Sequence, residues 1–214
     1  MAEGQVNSDC NINRLFARAS EVDGALLYGV MASTSRTPSC VSGFEGLSCG
    51  FDRQLLGLSC VEVYPIIYVG DAARARDRNY LQRIGITHVL NAALGVGVGM
   101  VDINASYYQG LGLNFLSLPI IDHPLFELTP YFQTAVDFVS GGFESGGKVL
   151  VYCLRGKSRS ISLAVAYLMI KVGMPAPMAL RICCSKVEAN INLGFLSEIA
   201  TLHNCLRAMV PQLD

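Results

Sequence analysis

The sequence predicts an α/β fold, a sheet covered by helices on both faces. Three observations carry that expectation. Short apolar runs alternate with helical stretches from Val61 onward, and glycine or proline marks the changes between them. The chain has 214 residues, enough for one domain with an extension and thin for two. Its composition, 51% apolar and 15% charged, suits a packed core.

Taken in order, residues 1–60 read as an N-terminal extension, partly flexible. Asn11 to Ala19 suits a short helix with Ile12, Leu15 and Phe16 on one side. Ser33 to Gly50, dense in Ser, Thr, Gly and Cys without a period, reads as a loop or linker. Residues 61–210 carry the regular pattern. Ile66-Ile67-Tyr68-Val69, ended by Gly70, predicts a buried strand. Asp77 to Ile84 reads as a helix stopped by Gly85, and Thr87 to Leu90 as the next strand. Leu113 to Leu118 is a third strand, stopped by Pro119. Thr129-Pro130 predicts an N-cap followed by proline at the first helical position, with Phe132, Val136 and Val139 on one face until Gly141-Gly142. Lys148 to Tyr152 is a strand, followed by helices at Ser160 to Val172, Pro177 to Val187 and Leu193 to Met209.

Composition excludes some function classes. A formal charge of −1 argues against a nucleic-acid or anionic-membrane binder that relies on bulk charge. Every apolar run is interrupted before it could span a bilayer. With no leader signal, the expected location is cytoplasmic, with the nucleus also open. The eight cysteines form no CxxC pair and have no histidine at zinc-ligand spacing, so reduced thiols and no metal are expected. Gly95-Val96-Gly97-Val98-Gly99 lacks the residues that complete a nucleotide-phosphate loop and reads as a flexible surface loop.

The chemistry concentrates in Val149-Leu150-Val151-Tyr152-Cys153-Leu154-Arg155-Gly156-Lys157-Ser158-Arg159-Ser160. A loop between a strand and a helix gathers backbone N–H groups at the helix N-terminus, where an anion is favoured. The same amides favour a thiolate on Cys153, the form that attacks phosphorus. Arg159 can grip two phosphate oxygens with its planar fork, and Gly156 permits the turn. Leu154, Arg155, Gly156, Lys157 and Ser158 then form the phosphate-binding loop. The hydroxyl of Ser160 is placed to donate to the sulfur as it leaves.

This loop matches the C-x5-R signature of the protein tyrosine phosphatases, and Gly156-Lys157-Ser158-Arg159-Ser160 resembles the dual-specificity branch. The resemblance extends over Glu62-Val63-Tyr64-Pro65, Ile67-Tyr68-Val69-Gly70, Gly85 to Ala93, Ala166-Tyr167-Leu168-Met169 and Gly194-Phe195-Leu196. Together these segments look like a small atypical dual-specificity phosphatase, a catalytic domain without a kinase-docking domain. The resemblance implies a mixed sheet of about five strands flanked by helices. It implies hydrolysis of phosphotyrosine and phosphoserine or phosphothreonine without metal or cofactor. Its substrates would be phosphorylated proteins, those of the MAP-kinase type among them.

Cleaving a phosphoester also needs a proton for the leaving oxygen and a base for the incoming water. Asp122, in Leu118-Pro119-Ile120-Ile121-Asp122-His123-Pro124, matches the family's general-acid position, with His123 as an alternative donor. Three departures from the family pattern stand out. Tyr152 replaces the usual histidine before the nucleophile, which predicts a slow enzyme or an impaired phosphate-binding scaffold. Val187 and Ile191 replace a usual Arg and Pro, although Asn192 matches. Lys157 sits where phosphatases acting on inositol lipids carry a loop lysine, but Leu154 stands where they carry a second, so an inositol-lipid phosphatase is the lesser alternative.

Overall fold

The computed structural model describes residues 21–36 and 60–209. The expected Asn11–Ala19 helix and nearly all of the Ser33–Gly50 linker lie outside them. Five strands form one sheet: β1 (Cys60–Tyr64), β2 (Ile67–Asp71), β3 (His88–Asn91), β4 (Asn114–Ser117) and β5 (Val149–Cys153). Their spatial order is β1-β2-β5-β3-β4. β1 pairs antiparallel with β2, and the other three pairings are parallel, so the sheet is mixed.

The helices are α1 (Gly24–Ser33), α2 (Ala72–Arg76), α3 (Arg78–Ile84), α4 (Thr129–Glu144), α5 (Arg159–Ile170), α6 (Ala176–Lys186) and α7 (Leu193–Met209). α5 is the central helix, packing on β2 and β5 and against α4, α6 and α7. Eleven of its twelve residues are buried, which explains its unbroken apolar sequence. β2, β3 and β5 are buried along their whole length, as parallel strands covered on both faces must be.

Four expected strands sit within one or two residues of their observed bounds. The fifth, β1, lies within a segment matched only by resemblance. It turns into β2 through Pro65 and Ile66, and Ile66 takes a left-handed φ of 67°. Glu62 holds that strained turn by accepting the Ile66 N–H at 2.9 Å.

The start of α4 differs from expectation. Thr129 is the first helical residue rather than its cap, and Leu128 occupies the cap position without a capping side chain. Glu198 of α7 replaces the cap, accepting from Leu128 N at 2.9 Å, Thr129 N at 2.6 Å and the Thr129 hydroxyl at 2.6 Å. The helix also runs past Gly141-Gly142 to Glu144; Gly142 is there for space, since a side chain would clash with Val149 and His88.

α1 is an element the sequence reading did not anticipate. Asp23 caps it, accepting the Leu26 N–H at 2.7 Å. Leu27 is fully buried, and the helix packs on α7 and α6.

Candidate active site

The parallel strands deliver their carboxyl ends to one edge of the sheet, where ligands of such folds bind. Cys153 is the last residue of β5, in register with Asp71 of β2, and Tyr152 is level with Asn91 of β3. Residues 154–158 then curl into the start of α5. Leu154 fixes the beginning of the loop by accepting the Ala72 N–H at 3.3 Å. Gly156 sits at φ 69°, and a Cβ there would lie 2.8 Å from the Gly70 carbonyl oxygen. Both the conformation and the space demand glycine.

α5 begins without a side-chain cap, because the Ser158 hydroxyl donates to Asp122 Oδ1 at 2.8 Å instead. The first amides of the helix are therefore open toward the loop, as an anion site requires. Cys153 is buried, and its Sγ lies 3.4 Å from Ser160 Oγ.

Arg159 is 3% exposed. Its Nη1 donates to the Ile120 carbonyl at 3.1 Å and its Nη2 to the Gly99 carbonyl at 2.8 Å. These bonds fix the guanidinium plane. Its Nε is buried without a hydrogen-bond acceptor among the described residues, and Asp122 Oδ2 stands 3.6 Å away. A buried cationic N–H left in this way suits an incoming oxyanion.

Asp122 thus meets the loop through two side chains, Ser158 and Arg159. A third donor, Asn192 Nδ2, reaches Asp122 Oδ1 at 2.9 Å. Gly194 supports the same loop from below: it packs so closely on the Pro124 backbone that no side chain fits there. The alternative donor, His123, uses its Nδ1 to accept the Leu125 N–H at 3.2 Å, a contact within its own turn.

Tyr152 is wholly buried, and its Oη has no hydrogen-bond acceptor among the described residues. Burial and the neighbouring Tyr108 hydroxyl push this phenol far above its ordinary pKa. Tyr108 itself donates to the Ala75 carbonyl at 2.9 Å. Tyr152 is therefore a neutral group associated with Tyr108, and it brings no positive charge to the loop.

Lys157 does not stand free over the site. Its Nζ pairs with Glu188 at 2.8 Å, and Glu188 is also 3.7 Å from Arg36. Lys157 and then Arg36 hold the Glu188 carboxyl below the usual carboxylate range. Val187 and Ile191 are both buried, so these two departures from the family pattern serve packing.

Sequence reasoning missed the role of Gly95–Gly99. Val96 and Val98 are exposed as a surface loop implies, yet Gly99 anchors Arg159 and Met100 Sδ lies 3.8 Å from Nη1. The available signal was position: this loop follows β3, the strand beside β5. Among the described residues no cluster of His, Cys, Asp and Glu is arranged to hold a metal ion, and no helix is long and apolar enough to cross a membrane.

A family model described as the dual specificity phosphatase catalytic domain matches residues 67–205. Human dual specificity protein phosphatase 13B is 33% identical over 182 residues, covering 84% of this chain and 90% of that protein. Mouse dual specificity protein phosphatase 26 is 38% identical over 147 residues, 68% of each. Among solved structures, a tyrosine-to-histidine variant of human DUSP28 superposes with a TM-score of 0.62 at 27% identity, over 71% of this chain and 99% of that one. The human tyrosine phosphatase-like serine/threonine/tyrosine-interacting protein gives 0.61 at 26%, over 70% and 98%. With the mixed sheet and the Cys153–Arg159 loop at its parallel edge, these matches establish that the chain belongs to the dual specificity phosphatase family.

Proposed function

We propose that this protein hydrolyses phosphotyrosine and phosphoserine or phosphothreonine in phosphorylated proteins, through a cysteinyl-phosphate intermediate. The observation that carries this reading is the joining of two loops: Ser158 and Arg159, from the nucleophile loop, both engage Asp122. That contact supports a nucleophile loop, anion site and proton donor that act together without rearrangement of the chain.

In the first step Cys153 Sγ forms a bond to phosphorus as the ester P–O bond breaks, and Asp122 gives its proton to the departing oxygen. The open amides of α5 and the Nε edge of Arg159 stabilise the transferring phosphoryl group. In the second step water loses a proton to Asp122 and attacks phosphorus. The S–P bond breaks, and the Ser160 hydroxyl donates to the departing sulfur. None of these steps calls for a metal. The same reading places the protein in the cytoplasm or nucleus, where such substrates occur.

Turnover of phosphotyrosine and phosphothreonine peptides, with Cys153→Ser beside the wild type, tests the proposal. The expected result is release of phosphate from both peptides by the wild type, and loss of at least about a thousandfold in the variant. Equal rates for the two proteins would overturn it.

A second reading, a phosphate-binding scaffold with little turnover, is favoured by Tyr152 alone. The thiolate then has the loop amides but no imidazolium at position 152 to support it. Tight phosphopeptide binding without phosphate release in the same assay would select that reading.

A further inference from the structure

We infer that α1, which precedes the segment matched by the family model, positions the acid loop through Met31. This rests on Asp122 as the proton donor. Residues 187–192 form a bridge with one foot in each half of the site. Asn190 N–H donates to the Lys157 carbonyl at 2.8 Å, which fixes the nucleophile loop. Two residues on, Asn192 Nδ2 donates to Asp122 Oδ1 at 2.9 Å. The Asn192 side chain is itself oriented, because its Oδ1 accepts the Phe195 N–H at 3.0 Å at the start of α7.

Between these feet the bridge has no regular structure, and its support comes from behind. Ile191 N–H points at Met31 Sδ, 3.4 Å away, and the Ile191 side chain is buried. α1 is in turn locked to α7. The residues leading into α1 are held by a reciprocal pair: Val22 N–H donates to Asn204 Oδ1 at 3.2 Å, and Asn204 Nδ2 donates to Val22 O at 2.8 Å. Arg36, just beyond α1, reaches Glu188 at the head of the bridge. Met31 is half-buried against the core, and thioether sulfur is a weak acceptor, so its contribution lies mainly in the space it occupies beside the Ile191 backbone. Emptying that volume lets the bridge relax and Asn192 draw back from Asp122. A displacement of about 1 Å in such a group is enough to cost rate.

The test compares phenyl phosphate, a poor leaving group that needs the proton, with p-nitrophenyl phosphate, a good one that needs it less. The full chain, Met31→Ala, Met31→Leu and Asp122→Asn are assayed together, with thermal unfolding recorded for each. Met31→Ala is expected to lower kcat for phenyl phosphate roughly five- to tenfold, p-nitrophenyl phosphate much less, and to leave KM unchanged for both. Met31→Leu, which refills the space, is expected to restore most of the rate. Equal losses on the two esters, no loss, or a leucine variant as impaired as alanine would overturn the inference. If Met31→Ala does not fold, Met31→Val makes the same comparison with a smaller void. Asp122→Asn separates the two claims: selective loss there with none at Met31 defeats the inference alone, and unselective loss there defeats the acid assignment beneath it.

Discussion

In the proposed mechanism, Tyr152 limits how fast this site can run. The position before the nucleophile carries a neutral, wholly buried phenol beside Tyr108. A protonated imidazole at the same place would add one cation to the amides that hold the thiolate. Tyr152→His is therefore expected to raise kcat/KM on p-nitrophenyl phosphate roughly tenfold, equivalent to about 1.4 kcal/mol of barrier. Unchanged or reduced turnover in a folded variant would contradict this account of the residue. That the Cys153–Arg159 loop and Asp122 meet at one place was legible in the sequence, because a fixed spacing and a strand–loop–helix context narrow where they lie. The fixing of Arg159 by the Gly99 and Ile120 carbonyls was not legible. Backbone acceptors carry no residue signature, and the loop that brings Gly99 lies about sixty positions away in the chain.

Among the elements, α4 shows how local signals are overridden by tertiary ones. Thr129-Pro130 is a sound helix-start signal, yet the capping group is the Glu198 carboxylate from α7. Three donors converge on that carboxylate, and they tie α4 to the helix whose first turn supports the acid loop. Glu198→Ala is expected to lower stability by about 1–2 kcal/mol, read as a drop in the urea midpoint without a change in slope. A midpoint equal to the wild type's would show that water serves those donors as well. The strand β1 and the helix α1 are among the elements sequence reading passed over, the short helix α2 being another. β1 is short and alternates only partly, with burial interrupted at Glu62 and Tyr64. α1 is capped by Asp23 but presents apolar residues on several sides, Leu26 and Tyr28 exposed as well as Leu27 buried. Neither offers a clean period, so only the partners, β2 for one and α7 for the other, identify them.

At the scale of the molecule, two buried histidines, His88 and His203, contribute to the response to acid. His88 is buried, with Nδ1 2.9 Å from Thr87 Oγ1 and Nε2 2.9 Å from Asn114 Nδ2, and its ring stands edge-on to Phe138. Burial holds its pKa below the ordinary histidine value; at His203 burial, and then Arg207, do the same. Unfolded chains take up these protons near pH 6.5 while the native protein resists them until lower pH. Stability is therefore complete above about pH 7 and declines as pH falls below about 6.5, with Glu188 adding to the loss at still lower pH. Urea midpoints at pH 7.5 and pH 5 check this, and a midpoint that rises toward pH 5 would contradict it. His88→Gln is expected to flatten the decline.

In the proposed mechanism phosphate passes through the sulfur of Cys153. Intact-mass spectrometry of protein quenched in acid during turnover of p-nitrophenyl phosphate tests it most directly. The account predicts an adduct of one phosphoryl group, mapped to Cys153 and absent from Cys153→Ser. Phosphate release at the wild-type rate by Cys153→Ser, with no adduct on the wild-type cysteine, would contradict it.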